Sequence, residues 1–303
     1  MRVLVTGAGG FIGSHVVAAL ARRGADPVGL VRHASDRSAA LGVEVVEADY
    51  RDPRAIERAL DASSARALVH AAWRLAPGSA YLHDAANVGE LESSLRLFTT
   101  AERAGCTRIV GIGTCLEYAT SNEAVSEDAP LRPATLYAAS KAALFLTSQA
   151  WASEVGVSFA WPRLYYPFGP REAPTRLIPT VVNALLRGER VATTEGLQQR
   201  SFLFVEDVAD AIAAITLSGS EGAFNVGSPA TTSVRELVEQ LASRVGRTDL
   251  LDIGAFPARP DDPSMLWPDT RRLSALGWQP SVARDEALAR TIDWWRANPV
   301  GPR

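Results

Sequence analysis

The stretch "VLVTGAGGFIGSHVVAAL", residues 3–20, decides the fold. An apolar run ends in a glycine-rich turn, and a helical apolar pattern starts directly behind it. Gly7 permits the tight turn. The turn glycines, Gly10 among them, let backbone approach a pyrophosphate, and Gly13 lets the helix pack closely on the strand. The helix N-terminus adds free N–H groups and a partial positive charge for the phosphates. A glycine-rich turn with no ligand is the plain alternative. The order strand, glycines, helix argues against it.

Outward from this turn the pattern repeats. Apolar runs at 2–6, 26–32, 43–49, 67–72, 108–114 and 157–164 predict strands. Helical patterns at 12–23, 53–61, 86–104 and 135–154 separate them. Such alternation predicts βαβ units and an α/β Rossmann-like, doubly wound parallel sheet. Beyond residue 164 the chain reads differently. Residues 165–200 are irregular with one helix, 200–218 form a strand and helix that could rejoin the sheet, and 254–281 read as loop before a last helix. The expected division is a dinucleotide domain of 1–164 with 200–220, and a smaller C-terminal α/β substrate domain of 165–199 with 221–303.

The composition is that of an ordinary soluble protein: 303 residues, 47% hydrophobic, 21% charged, net charge −3. The arginines are scattered, so no nucleic-acid footprint is expected. No run of 18 apolar residues predicts a membrane span, and the N-terminus lacks a signal-peptide pattern. Two cysteines, Cys106 and Cys115, fit neither a metal spacing nor a disulfide framework. A cytoplasmic protein without a metal is expected.

Dinucleotide folds that use NAD usually place an acid at the end of the second strand, on the ribose 2′-hydroxyl. Here Val31 stands in that place and Arg32 follows. Arg32 can accept a 2′-phosphate, which favours NADP with NAD as the alternative, or it is a solvated surface arginine. Asp49 ends the third strand as an adenine contact or a helix cap.

"LYAASKAAL", residues 136–144, holds the only lysine of the chain, Lys141, against 30 arginines. Drift is one explanation. The other is a site that needs a compact ammonium and rejects a planar fork. Tyr137 lies four residues before Lys141, on the same helical face. A nearby ammonium favours the phenolate of a group whose ordinary pKa is near 10, which fits acid–base work. Thr114 ends the strand at 108–114, where its hydroxyl could hold a substrate oxygen beside Tyr137 or cap a turn.

With these motifs in place, the chain resembles the extended short-chain dehydrogenases/reductases, of the NAD-dependent epimerase/dehydratase family that acts on nucleotide sugars. The resemblance runs nearly end to end. It rests on "VTGAGGFIGSH", "ADYRD", "VHAA", "GTCLEY", "YAASK", "WPRLYYPFGP", "QRSFLFVEDVADAI", "GAFNVGSP" and "ARPDDP…LGWQP". It implies Thr114, Tyr137 and Lys141 as the catalytic set. Cofactor contacts are implied for Gly7, Gly10, Phe11, Ile12, Gly13, Arg32, Asp49, Tyr50, Ala71, Ala72, Tyr137, Lys141 and Pro162. Substrate contacts are implied for Thr114, Cys115, Tyr166, Arg200 and Arg259, the two arginines facing a diphosphate. One position departs: family members often carry Asn where this chain has Tyr166, and a phenol cannot copy an amide's paired donor and acceptor. The family also often pairs through helices like 86–104 and 135–154, so a homodimer is expected.

The leading expectation is a reductase of a 4-keto nucleotide sugar, with Tyr137 as the acid, and the NADP preference read at Arg32 tilts the choice that way. A 4-epimerase that retains its cofactor and a cofactor-binding regulatory protein without turnover are the alternatives. A 4,6-dehydratase is not expected. Those enzymes carry acids directly after the catalytic threonine, where this chain has Cys115 and Leu116. Glu117, one strand step further, should point to the opposite face.

Overall fold

The computed structural model describes residues 1–34, 41–119, 121, 123–258 and 265–300. Its centre is an eight-stranded sheet. From one edge to the other run Gly222–Val226, Ser158–Leu164, Arg108–Gly111, Ala67–His70, Arg2–Thr6, Asp26–Val31 and Val45–Glu47, all parallel, with Gly113–Thr114 also paired to Ser158–Leu164. The chain order reverses beside Arg2–Thr6. A ligand crevice is expected at that switch point, outside the carboxyl ends of the strands.

Alternate side chains of each strand serve two cores. Val3, Val5, Val69 and Val110 meet helices Phe11–Arg22 and Val205–Ser218 on one face. Leu4, Leu68, Ile109 and Phe159 meet helices Pro53–Ser63, Ala86–Arg103 and Leu136–Val155 on the other. Burial on both faces explains why the strands read as unbroken apolar runs. Helix starts are written locally: Asp52 accepts from the backbone N–H of Arg54 and Ala55, and Thr135 from that of Ala138. The smaller lobe packs helices Leu177–Leu186, Val234–Val245 and Arg284–Ala297 around Val182, Leu237, Leu288 and Trp295.

Three expectations need correction. The strand that rejoins the sheet after residue 200 is Gly222–Val226, so the sheet takes in residues assigned above to the substrate domain. Leu203–Phe204 instead pairs with Pro167–Phe168 in a small separate sheet. The strand expected at 108–114 is broken at Ile112, because its neighbour carries Pro162, which has no N–H to give a ladder. Trp161 adds to the break: its indole fills the space that a Cβ at Gly111 or Gly113 would need. Within 254–281, read as loop, the structure holds a short strand, Met265–Leu266, and a short helix, Arg271–Ser274.

Candidate active site

The cofactor end is made mostly of backbone. Gly7 has φ +68°, a left-handed conformation that suits glycine, and a Cβ there would press on the backbone of Ala71 and Ala72. A Cβ at Gly13 would collide with the carbonyl of Gly7. Helix Phe11–Arg22 begins at Gly10 with no capping side chain and no acid in its first turn. Its first N–H groups, those of Phe11, Ile12 and Gly13, are therefore open to an oxyanion. These features fit the pyrophosphate of a dinucleotide.

A buried hydrogen-bond chain ties the neighbouring turns together. Ala72 N–H donates to Thr6 Oγ1 (3.2 Å), Thr6 Oγ1 lies 2.8 Å from His70 Nδ1, His70 Nε2 lies 2.9 Å from Ser94 Oγ, and Ser94 donates to Glu90 O. With Ser94 donating onward, Nε2 carries the imidazole proton and Nδ1 accepts from Thr6. Burial, with the Lys141 charge nearby, pushes His70 down to about 3, so the ring stays neutral. Tyr50 donates its hydroxyl to Glu90, which also accepts from the Arg74 N–H. The Tyr50 hydroxyl is thus committed inside the protein. Arg32 is exposed at the mouth of its strand, and its charge reaches Asp49. Asp49 is not a helix cap: it takes both Nε and Nη2 of Arg51, and this pairing holds its carboxyl below the usual range.

The three residues expected to be catalytic lie on two elements that pack together. Helix Leu136–Val155 packs against Gly113–Thr114. Lys141 is buried, and its Nζ donates to Ile112 O at 2.9 Å, the carbonyl at the break in the strand. The same Nζ sits 3.7 Å from the centroid of the Trp73 ring and 5.9 Å from that of Trp161. Burial pulls the ammonium down to about 7, against the attraction of Glu117 and Glu90. Tyr137 is enclosed by the edges of Tyr81 (5.0 Å between centroids) and Trp73 (6.2 Å). Burial, then Tyr81, pushes its phenol up, so it is protonated at neutral pH. The expected lowering of the phenol by Lys141 is not what the site shows. Thr114 caps the turn: its Oγ1 accepts from Leu116 N–H, which leaves the hydroxyl a proton to donate.

Residues 115–117 form a 3-10 turn, not a strand, so the strand-face argument for Glu117 fails. Glu117 is turned inward for another reason. Its carboxylate accepts from Thr114 N (2.8 Å), Trp161 Nε1 (3.0 Å) and Arg163 Nε (2.7 Å), and it has no exposed surface. Burial pushes the Cys115 thiol up to about 12, so it is an inert neutral group.

On the substrate side, Arg200 is buried and stacks over the Tyr166 ring at 5.2 Å. Tyr166 has φ +36°, a conformation Asn tolerates and a bulky residue rarely adopts. That accounts for the amide usual at this position and marks strain where the chain departs. Pro162 lies two residues before the end of its strand, level with the break at Ile112. Arg259 lies outside the described residues. Three residues that sequence reasoning missed lie around Tyr137 and Lys141: Trp73 from a loop, Tyr81 from the 3-10 turn Ala80–Leu82, and Arg176 from the start of helix Leu177–Leu186. The Arg176 guanidinium lies 5.2 Å from the Tyr81 ring, with Glu172 buried beside it and raised by that burial to about 8. Their one sequence signal is nearness to the "VHAA" turn and to the "FGP" segment.

The glycine turn, the open helix N-terminus and the Tyr–Lys helix facing them define a dinucleotide-binding fold of the short-chain dehydrogenase/reductase type. A model of the NAD dependent epimerase/dehydratase family matches residues 3–227, and the chain belongs to that family. It is 30% identical over 319 residues to the UDP-glucose 4-epimerase of Mycolicibacterium smegmatis, covering 98% of this chain and 99% of that protein. It is 31% identical over 310 residues to the dTDP-glucose 4,6-dehydratase of Streptomyces griseus, covering 97% and 93%. The UDP-glucose 4-epimerase of Thermus thermophilus, solved with NAD, superposes with a TM-score of 0.88 at 27% identity over 98% of this chain and 99% of that one. Among the described residues no helix is long and apolar enough to cross a membrane.

Proposed function

We propose that the protein is an oxidoreductase of nucleotide sugars that reduces a 4-keto group, with NADP preferred over NAD. One observation carries this reading. A protonated phenol, Tyr137, stands at the dinucleotide crevice beside Thr114 and Lys141, and among the described residues no ionised carboxylate is free next to it. When bound, the dinucleotide supplies the hydride. Tyr137 gives its proton to the carbonyl oxygen, Thr114 holds that oxygen by a hydrogen bond, and Lys141 grips the ribose hydroxyls. Arg200 and Arg259 bind the diphosphate, and Arg32 meets the 2′-phosphate. With Cys115 neutral and Glu117 committed to Arg163, elimination across C5 and C6 lacks its acid and base, which argues against a dehydratase.

A second reading, a 4-epimerase, is favoured by the full-length likeness to the 4-epimerase of Mycolicibacterium smegmatis. Epimerisation returns the hydride within one turnover, so it consumes no reduced cofactor. Steady-state oxidation of NADPH and NADH with a 4-keto nucleotide sugar separates the two. The expected result is turnover with NADPH preferred, and a roughly ten- to hundredfold loss of that preference in Arg32→Ala. Tightly held NAD, with interconversion of UDP-glucose and UDP-galactose, replaces the reductase reading by the epimerase one. The same reading carries a homodimer through helices Ala86–Arg103 and Leu136–Val155, which expose Val88 and Leu146 by 56% and 55%. A monomer mass by light scattering at micromolar concentration contradicts it.

A further inference from the structure

Lys141 has an unusual set of neighbours for a buried ammonium. One carbonyl, Ile112 O, takes one of its three N–H donors. No carboxylate forms an ion pair with it among the described residues. Facing it are Glu117 from the 115–117 turn, Glu90 from helix Ala86–Arg103, neutral His70 from strand Ala67–His70, and protonated Tyr137 from its own helix. Both carboxylates are engaged elsewhere: Glu117 with Arg163, Glu90 with Tyr50 and the Arg74 N–H. What touches the ammonium is the face of Trp73, at 3.7 Å from the ring centroid. At that distance the negative face of an indole attracts a cation, and more so where water is excluded.

Trp73 is itself held. Its Nε1 donates to Asn87 Oδ1 at 2.9 Å, and Asn87 Nδ2 donates to Tyr81 O and Asp84 O at 2.7 and 2.8 Å. Asn87 is buried, so this strap fixes the indole plane. It also fixes the backbone of Tyr81, whose ring encloses Tyr137. We infer that Trp73 is a positioning residue, whose ring face keeps Lys141 charged and in place between the indole and the Ile112 carbonyl. A guanidinium also lies on aromatic faces, but it is larger and fixed in shape, whereas a compact ammonium can rest on the ring and turn one of its three N–H donors to the carbonyl, which gives the lone lysine its reason. The inference deepens the Tyr–Lys reading of the site and rests on it for its bearing on catalysis.

The test needs no substrate, because one lysine gives one signal. Protein labelled with 13C at lysine Cε should show a single resonance, displaced upfield by the Trp73 ring, that titrates with the Nζ. In Trp73→Leu the displacement should vanish and the midpoint fall by about one pH unit. Trp73→Phe should keep part of the displacement and a midpoint near wild type. Reduced dinucleotide, with NADPH and NADH as probes, should bind about tenfold more weakly to Trp73→Leu and within about twofold of wild type to Trp73→Phe. An undisplaced resonance in the wild type, which requires no variant to fold, overturns the inference. So does a midpoint unchanged in Trp73→Leu, or one lowered equally in both variants, which makes the effect steric. A protein that reduces no sugar but shows the expected titration fails the proposed function and keeps this one.

Discussion

Two buried charges touch the segment Gly111–Thr114. Glu117 receives a guanidinium, an indole N–H and a backbone N–H, and its partner Arg163 also donates to Tyr118 Oη at 2.6 Å. Lys141 receives one carbonyl and an aromatic face. Both are out of water, yet only the first has an opposite charge against it. A fully paired buried ion belongs to the architecture, since removing either partner strands the other. An ammonium left without a counter-ion destabilises the fold, and such a group persists where something other than stability requires it.

Breaking the pair should have the largest effect on stability. Glu117→Leu leaves Arg163 buried and uncompensated and should lose about 3–5 kcal/mol in denaturant unfolding, whereas Glu117→Met with Arg163→Met should recover most of it. A loss under about 1 kcal/mol in the single variant removes the contrast.

Lys141 should behave in the opposite way. Lys141→Met should abolish turnover while raising stability by on the order of 1–3 kcal/mol. The pH dependence follows from linkage. The ammonium titrates at about 7 in the fold against 10.5 for a free lysine, so between those values the unfolded chain binds more protons. Wild-type stability should therefore gain with rising pH across that window, and the advantage of Lys141→Met should shrink over it. Thermal unfolding of both proteins from pH 6 to 10 checks the sign, and a constant difference contradicts it. Lys141→Arg keeps the charge but should still lose most turnover; activity within twofold of wild type counts against the fit argued for the ammonium.

The smallest effect is expected at Cys115. Its thiol is protonated at any working pH, so Cys115→Ser should leave turnover within about threefold. A larger loss with an altered pH profile would give Cys115 a proton-transfer role and reopen the dehydratase question.

How legible each feature was depends on what makes it. Gly7 and Gly13 are required by backbone geometry within one short segment, so their spacing is visible in the chain itself. Tyr137 and Lys141 are one helical turn apart, again a local pattern. The break at Ile112 is not local, since it depends on Trp161 and Pro162 in the neighbouring strand. Trp73, Tyr81 and Arg176 come from a loop, a single 3-10 turn and a helix start, where no periodicity lets spacing speak of contact. Glu117 is turned inward, and a 3-10 turn and a buried arginine orient it, not the alternation of a strand.

The single lysine also makes this protein a reporter of its own opening. Amine-acylating reagents find no lysine on the surface of the described fold, only the N-terminal amine. Acylation of Lys141 requires the strap of Trp73 and Asn87 to part or the domain to unfold. Under conditions where closing outpaces the reagent, the labelling rate at one side chain measures the free energy of that opening. A ligand that binds only the closed form should slow the labelling in proportion to its occupancy, whether or not it is turned over.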